Sequence, residues 1–552
     1  MKKKVDFILI LLTFFCVLII GRLFSFQILD NEYWKALAQG QQRFFSEKEG
    51  ERGEIYLSAH RSDLFPLAVN RGWEFAYLVP TEINKDEENV EEIAQKLSQI
   101  LDLDKENIIE RINKERSMYE RLKSRLSPQE VEALKNEDIP GLYISQENVR
   151  YYPQENLASH VVGFLGGDNQ GQYGVEGYFN DILKGLSSFE ERDRLLGRSF
   201  SESQKGQDIV LTIDYNIQFM AEKMLRDASN TLNIDGGTIL VGDPNTGRII
   251  ALANYPDFNP NNYSEEIDLK RFKNFSIQTI FEPGSIFKSI TLAIALEEGK
   301  ITPQTVYKDE GSVRIGGYTL RNYGRRVWGD QTMSEILEKS INTGAVHAQR
   351  LVGNEIFTDY LEKFEFFKPT GIELQGEVFS QNLSFKRGYE VNYANASFGQ
   401  GIEVTSMQLF KAFSALANGG RIIDPYIIEG NSRVDQSRRV ISPKTSSTIT
   451  SMMVGVTEDG FAKTARVPGY YVAGKTGTAQ VAWSALGVNK RGYSDKTIQS
   501  FIGYAPAIDP AFVMLVKLHN PSANTAEYSA APIFGELAKY ILDYYQIPPN
   551  RE

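Results

Sequence analysis

Lys2, Lys3 and Lys4 lead into an uncharged run from Phe7 to Ile20, continued by Leu23, Phe24, Phe26 and Ile28. The uncharged core alone would suit a signal peptide, but no Ala-x-Ala cleavage pattern follows it. Extended to Leu29, with Arg22 near the far end able to snorkel, the run reaches the roughly 20 residues that span a bilayer. Its face carries no polar stripe, which argues against a surface helix of a soluble domain. The reading is a single uncleaved membrane anchor over residues 1–30. The lysines place its tip in the cytoplasm and the rest of the chain on the other side.

Composition narrows what that remainder can do. The 552 residues carry 60 Lys+Arg against 71 Asp+Glu, a net charge of −11, with no long basic run. Nucleic-acid binding rests on neutralising phosphates, so no nucleic-acid partner is expected. The single Cys16 and the four scattered histidines build neither a metal site nor a disulfide framework, so no metal and no cofactor are expected. Chemistry falls to Ser, Lys, Asp, Glu or Tyr.

Between the anchor and residue 205 the pattern is mixed. Strand-like runs at Phe75–Val79 and Gly141–Ile144 alternate with helical stretches, and Val90, Ile93, Ala94, Leu97, Ile100 and Leu101 recur at helical spacing. The dense charges from Lys85 to Glu137 read as a solvated face. A polar, small-residue stretch from Ser199 to Gly206 marks a domain edge. Beyond it come a strand at Ile209–Ile213, a helix from Tyr215 to Leu225, and a hairpin of Gly237–Gly242 with Arg248–Leu252 around Asp243-Pro244-Asn245-Thr246-Gly247.

The chemistry concentrates in this second part. Phe281-Glu282-Pro283-Gly284-Ser285-Ile286-Phe287-Lys288 runs from a loop into an apolar helical pattern. Ser285 and Lys288 are three apart and share one helix face, and this Ser-x-x-Lys occurs once in the chain. A serine attacks only if a neighbouring base takes its proton, and a lysine is such a base only when burial or nearby positive charge lowers its pKa. Ile286, Phe287 and Ile290 offer the burial. The bland alternative is an amphipathic helix whose lysine points outward, and one Ser-x-x-Lys cannot exclude it. Further on, Ser340-Ile341-Asn342 stands where a helix ends, although the same pattern recurs at Ser380 and Ser522. Gly474-Lys475-Thr476-Gly477-Thr478 follows the strand-like Tyr470–Ala473, and Lys-Thr-Gly occurs nowhere else. A glycine in such a strand signals close approach of a backbone to a ligand.

Ser-x-x-Lys, Ser-x-Asn and Lys-Thr-Gly in this order resemble the penicillin-recognising serine enzymes. Arg150-Tyr151-Tyr152-Pro153, Gly174–Tyr178, Tyr255–Asn261, Ser397-Phe398-Gly399-Gln400-Gly401 and Lys475–Gln480 extend the resemblance to class B penicillin-binding proteins over nearly the whole chain. One departure is early: Arg52-Gly53-Glu54-Ile55 is followed by Tyr56–Arg61 rather than the usual Asp-Arg-Asn-Gly. The resemblance implies an α/β (α+β) transpeptidase domain, an antiparallel sheet covered by helices, over residues 206–552. It places an elongated pedestal of the dimerisation type at 31–205, above the anchor. Consecutive strands at Lys475–Val481, Thr497–Ala505 and Ala511–Leu518 would be joined, for the first two, by a loop from Trp483 to Asp495.

By the same resemblance, Ser285 attacks a peptidoglycan stem peptide at its penultimate D-Ala with Lys288 as base. Ser340 passes a proton to the leaving amine, and Asn342 holds the substrate amide. Lys475, Thr476 and Thr478 around Gly477 bind the terminal carboxylate, and the N–H groups of Ser285 and Thr478 form the oxyanion hole. An amine of a second stem takes the acyl group, and β-lactams block Ser285. The implied setting is the extracytoplasmic face of the bacterial inner membrane, with a SEDS-family glycosyltransferase and other divisome or cell-wall membrane proteins as partners. Ser500–Ala507 resembles the division type more than the elongation type. A D,D-carboxypeptidase and a catalytically silent scaffold stay open as alternatives. A β-lactam hydrolase or sensor lacks an identifiable deacylation base here, and a bifunctional enzyme would need a glycosyltransferase domain with no acidic signature in view.

Overall fold

A computed structural model describes residues 51–59, 63–83, 86–114, 116–185, 205–490 and 492–551, together with Thr13 and Phe15. The expected anchor at 1–30 and most of the expected domain edge at Ser199–Gly206 lie outside the described residues. Among the described residues no helix is long and apolar enough to cross a membrane.

The chain forms two compact units that interleave along the sequence. Segments Glu54–Val69 and Tyr152–Leu183 pack with Asp208–Glu552, while Asn70–Tyr151 belongs to the other unit. Strand β1 (Ile55–Ser58) pairs antiparallel with the start of β2 (Leu64–Leu78), Ser58 opposite Leu64, so Tyr56–Ser58 of the departure noted after Ile55 lie on β1, while His60 and Arg61 lie outside the described residues. The later half of β2 enters the smaller unit, where α1 (Glu87–Leu101), α2 (Lys105–Ile112), β3 (Glu120–Lys123), α3 (Pro128–Asn136) and β4 (Leu142–Tyr151) follow. The helical spacing read at Val90, Ile93, Ala94, Leu97 and Leu101 is the buried face of α1, packed with Val131 and Leu134 of α3. Ser127 starts α3 through a reciprocal capping box with Glu130, which satisfies two backbone N–H groups that a helix start otherwise leaves unpaired.

The larger unit resumes with β5 (Ile209–Asp214), parallel to β1, and α4 (Tyr215–Leu232), longer than its sequence pattern suggested. Asp214 caps α4 by accepting from the N–H groups of Asn216 and Ile217. The hairpin of β6 (Gly236–Gly242) and β7 (Ile249–Tyr255) follows. Then come α5 (Lys288–Glu297), α6 (Met333–Glu338), α7 (Asn342–Val352), α8 (Ser406–Ala417) and α9 (Pro443–Glu458). The chain closes the sheet with β8 (Ala473–Ala482), β9 (Tyr493–Ala505) and β10 (Phe512–His519), and ends in α10 (Ala530–Tyr544).

These strands form an antiparallel sheet in the order β8-β9-β10-β6-β7. The loop expected from Trp483 to Asp495 is shorter, because β9 begins at Tyr493 and the Trp483 N–H donates to the Gly492 carbonyl at 3.1 Å. Strand alternation sends successive side chains to opposite faces. A side chain at Gly237 would meet Leu225 of α4, whereas one at Gly242 would meet Phe410 of α8, so helices cover both faces. On the α4 face, Phe501 of β9 meets Phe534 of α10 edge-on, ring centroids 4.6 Å apart and both side chains fully buried. Phe534→Ala should therefore cost about 3–5 kcal/mol of stability, read from denaturant unfolding of the detergent-solubilised protein; a change near zero would show that α10 does not hold the sheet.

Candidate active site

Ser285 sits in a single 3-10 turn, Gly284–Phe287, that runs directly into α5 at Lys288. The expected helix start is thus a tighter turn, but serine and lysine still face each other, with Lys288 Nζ 3.0 Å from Ser285 Oγ. Ile286, Phe287 and Ile290 are fully buried, as is Lys288 itself. The outward-pointing lysine is excluded.

Ser340 supplies the other side of that lysine. Helix α6 starts at the Thr332–Glu335 capping box, ends at Glu338, and is separated from α7 by Ser340 in the left-handed region at φ 55°. A non-glycine residue held there is strained, and such strain persists where surrounding contacts impose it. The Ser340 carbonyl oxygen and hydroxyl lie 2.6 and 3.1 Å from Lys288 Nζ. Lys475, on β8, brings its own Nζ to 3.1 Å from the same Ser340 hydroxyl and donates to Thr476 O and Oγ1. Lys475 is also fully buried.

Burial without a counter-ion disfavours the ammonium form. It pushes Lys288 well below the ordinary lysine range, with the nearby Lys475 charge adding to the effect. Burial alone brings Lys475 down to about 7. A neutral amine is therefore available 3.0 Å from the Ser285 hydroxyl.

Three backbone devices hold this arrangement. Gly477 passes so close to the Ser285 turn that a Cβ there would come within 3.0 Å of Pro283 O and 2.9 Å of Ile286 Cγ1. The close approach at this glycine is to the turn that carries Ser285. The Gly284 N–H donates to Gly399 O at 3.0 Å, and Gly399, at φ 78°, would drive a Cβ into Gly284 O. Glu282 accepts from the Gly401 N–H at 2.9 Å and from the Tyr493 hydroxyl at 3.0 Å, tying the Ser285 turn to the β8–β9 hairpin. Burial raises the Glu282 carboxyl.

The other predicted residues line the same cleft, of about 500 Å³: Ser285, Ser340, Asn342, Thr476 and Thr478. Asn342 Nδ2 donates to Arg321 O at 3.0 Å, and the Thr478 hydroxyl accepts from Ala526 N–H at 3.3 Å. Sequence reasoning missed what sets the start of α7. Asp309, 1% exposed, accepts from Asn322 Nδ2 (3.0 and 2.9 Å), Thr343 Oγ1 (2.6 Å), Gly311 N–H (3.0 Å) and Trp328 N–H (2.9 Å). Asn322 Oδ1 then accepts from Thr343 N–H at 3.1 Å, one of the unpaired donors of the first turn of α7. Only the hydroxyl of Thr343, next to Asn342, hinted at this buried network.

A serine paired with a buried neutral lysine, a hydroxyl bridging two lysines, and an open cleft beyond them define a serine acyltransferase. Comparison with known proteins agrees. Residues 237–539 match the penicillin binding protein transpeptidase domain, and residues 47–211 match the penicillin-binding protein dimerisation domain. Stage V sporulation protein D of Bacillus subtilis is 31% identical over 576 residues, covering 100% of this chain and 87% of that protein. A probable peptidoglycan D,D-transpeptidase, PenA of Neisseria gonorrhoeae, is 28% identical over 92% of this chain and 89% of its own. The crystal structure of penicillin binding protein 3 from Mycobacterium tuberculosis, complexed with aztreonam, superposes with a TM-score of 0.69 at 26% identity, over 91% of this chain and 98% of that one. The chain belongs to the penicillin-binding protein transpeptidase family.

Acylation needs the Lys288 amine neutral, so its rate should rise with pH as that proton is lost. The rising limb of penicillin acylation should lie well below the 10.5 of free lysine. A limb centred near 10.5 would mean that burial does not depress Lys288.

Proposed function

We propose that this protein is a peptidoglycan D,D-transpeptidase, a reading carried by the 3.0 Å approach of a fully buried Lys288 to Ser285. Ser285 Oγ gives its proton to Lys288 and attacks the carbonyl of the penultimate D-Ala of a stem peptide. The N–H groups of Ser285 and Thr478 receive the developing oxyanion, each contributing about 3 kcal/mol by comparison with other acyl-transfer sites. The proton passes from Lys288 through the Ser340 hydroxyl to the leaving amine; the Lys288–Ser340 and Lys475–Ser340 distances, both 3.1 Å, support that route. Lys475, Thr476 and Thr478 hold the terminal carboxylate, and Asn342 the substrate amide. Terminal D-Ala leaves, and an amine of a second stem takes the acyl group from Ser285.

The expected result of labelling the full-length protein with a fluorescent penicillin is one stable adduct, absent in Ser285→Ala and in Lys288→Ala. Retained labelling in Lys288→Ala would remove that lysine from the base role. No adduct on folded protein would favour the silent scaffold, and an acyl group passed only to water would favour the carboxypeptidase.

The setting we propose is a single-pass protein of the bacterial inner membrane, catalytic on the extracytoplasmic side. Its support is the Lys2–Lys4 cluster before the apolar run to Leu29. The resemblance of Ser500–Ala507 to the division type supports action at the septum, and family resemblance supports a SEDS-family glycosyltransferase as partner. A fluorescent full-length fusion should concentrate at division sites, and exchanging residues 1–30 for an unrelated anchor should weaken co-purification with that partner. An even distribution around the cell would remove the septal assignment, and unchanged co-purification would place the contact outside the anchor.

A further inference from the structure

Glu527 contributes the one carboxylate among the described residues lining the Ser285 cleft, whose other charged lining side chains, Arg321, Arg326 and Lys339, are cationic. It belongs to the 3-10 turn Ala526–Tyr528. That turn is pinned by its backbone: Ala526 N–H donates to the Thr478 hydroxyl at 3.3 Å, and Glu527 O accepts from Thr464 Oγ1 at 2.6 Å. Ser529 Oγ, just after it, donates to buried Gln499 at 2.5 Å. These bonds leave the Glu527 carboxylate with no hydrogen bond or ion pair among the described residues, and Lys463 is the cation that acts on it through space. Partial burial raises its carboxyl, and the Lys463 charge opposes that rise.

A transpeptidase needs a cation there. The second substrate is an alkyl amine, which arrives as an ammonium ion at neutral pH. Its nitrogen must approach the acyl carbon along the line by which the D-Ala nitrogen departed. With the terminal carboxylate held as proposed above, that line runs beside the edge of β8 at Thr476 and Thr478, and Glu527 is the acidic residue of the same cleft, one residue after the Ala526 whose N–H holds the Thr478 hydroxyl. We infer that Glu527 is the recognition residue for the acceptor amine, an assignment that rests on the transpeptidase reading above. The ammonium pairs with Glu527 and sheds one proton to solvent. The neutral nitrogen then attacks the Ser285 ester, so that a C–N bond forms and the C–Oγ bond breaks. The second proton returns to Ser285 Oγ through Lys288. Glu527 plays no part in the first half-reaction, because that half has no cationic substrate.

The test measures how the acyl-enzyme partitions in the full-length protein in detergent. The donor is a peptide ending in D-Ala-D-Ala, offered together with either an acceptor peptide bearing a lysine ε-amine or hydroxylamine, which is uncharged at neutral pH. Mass spectrometry reads amide, hydroxamate and hydrolysed acid. In Glu527→Gln the amide-to-acid ratio should fall about tenfold, the scale of one charge-assisted hydrogen bond. The hydroxamate-to-acid ratio and the rate of penicillin acylation should not change, and Glu527→Asp, which keeps the charge, should retain amide formation. An unchanged amide ratio in Glu527→Gln overturns the assignment. An equal fall with hydroxylamine overturns it too, since a packing defect would not distinguish charge. Loss of penicillin acylation would place Glu527 in the donor half and likewise overturn it. If the unaltered protein forms the penicillin adduct but no amide, the transpeptidase reading itself fails, a result distinct from all of these.

Discussion

Two lysine amines, buried with no carboxylate partner among the described residues, converge on the Ser340 hydroxyl, each 3.1 Å from it. Removing an ammonium ion from water costs several kcal/mol even after relaxation. Two such ions side by side add mutual repulsion, and the low-cost outcome is loss of a proton from one of them. Lys288 is the one pressed hardest, by burial and by Lys475 together. The site thus creates its base by withholding a counter-ion. A carboxylate in direct contact with Lys288 would favour its charged form and oppose acceptance of the Ser285 proton.

Such an arrangement lasts only if the surrounding backbone cannot relax around it. The approach of β8 at Gly477 and of Gly399 to Gly284 clamps the Ser285 turn between a strand and a loop with no room for a side chain at either contact. The Asp309 network does the same for the start of α7, offsetting the burial of a carboxylate with two backbone N–H groups, an amide and a hydroxyl. The β8–β9 hairpin is tied to the Ser285 turn through Tyr493 and Glu282.

Legibility in the sequence followed sequence distance. Ser285 and Lys288 could be paired because three residues on a helical turn fix their relation locally, and the 3-10 geometry did not alter it. Lys475 and Thr476 were legible through an unrepeated tripeptide. Ser340-Ile341-Asn342 was weak by itself, since two other copies exist; the structure separates them, because Ser380 and Asn382 bond to Glu403 instead. Asp309, Asn322, Glu282, Tyr493 and Glu527 were not legible at all. Asp309, Asn322, Glu282 and Tyr493 are ordinary polar residues with partners far along the chain, and the Glu527 carboxylate has none among the described residues. The interleaving of Glu54–Val69 and Tyr152–Leu183 with the larger unit was equally hidden, because nothing in a local pattern records which strand a hairpin will join.

The sequence by itself determined the chemical inventory: a serine and a lysine one turn apart, a second lysine in a strand, and no histidine or cysteine pattern to compete with them. Through the family resemblance it also carried the expectation of consecutive strands at β8, β9 and β10. Only the tertiary structure decided that both lysines would be buried, that they would meet at one hydroxyl, and that burial would lower the proton affinity of both. Those outcomes depend on desolvation and on the field of distant charges, which are properties of the packed volume around an atom and not of its neighbours along the chain.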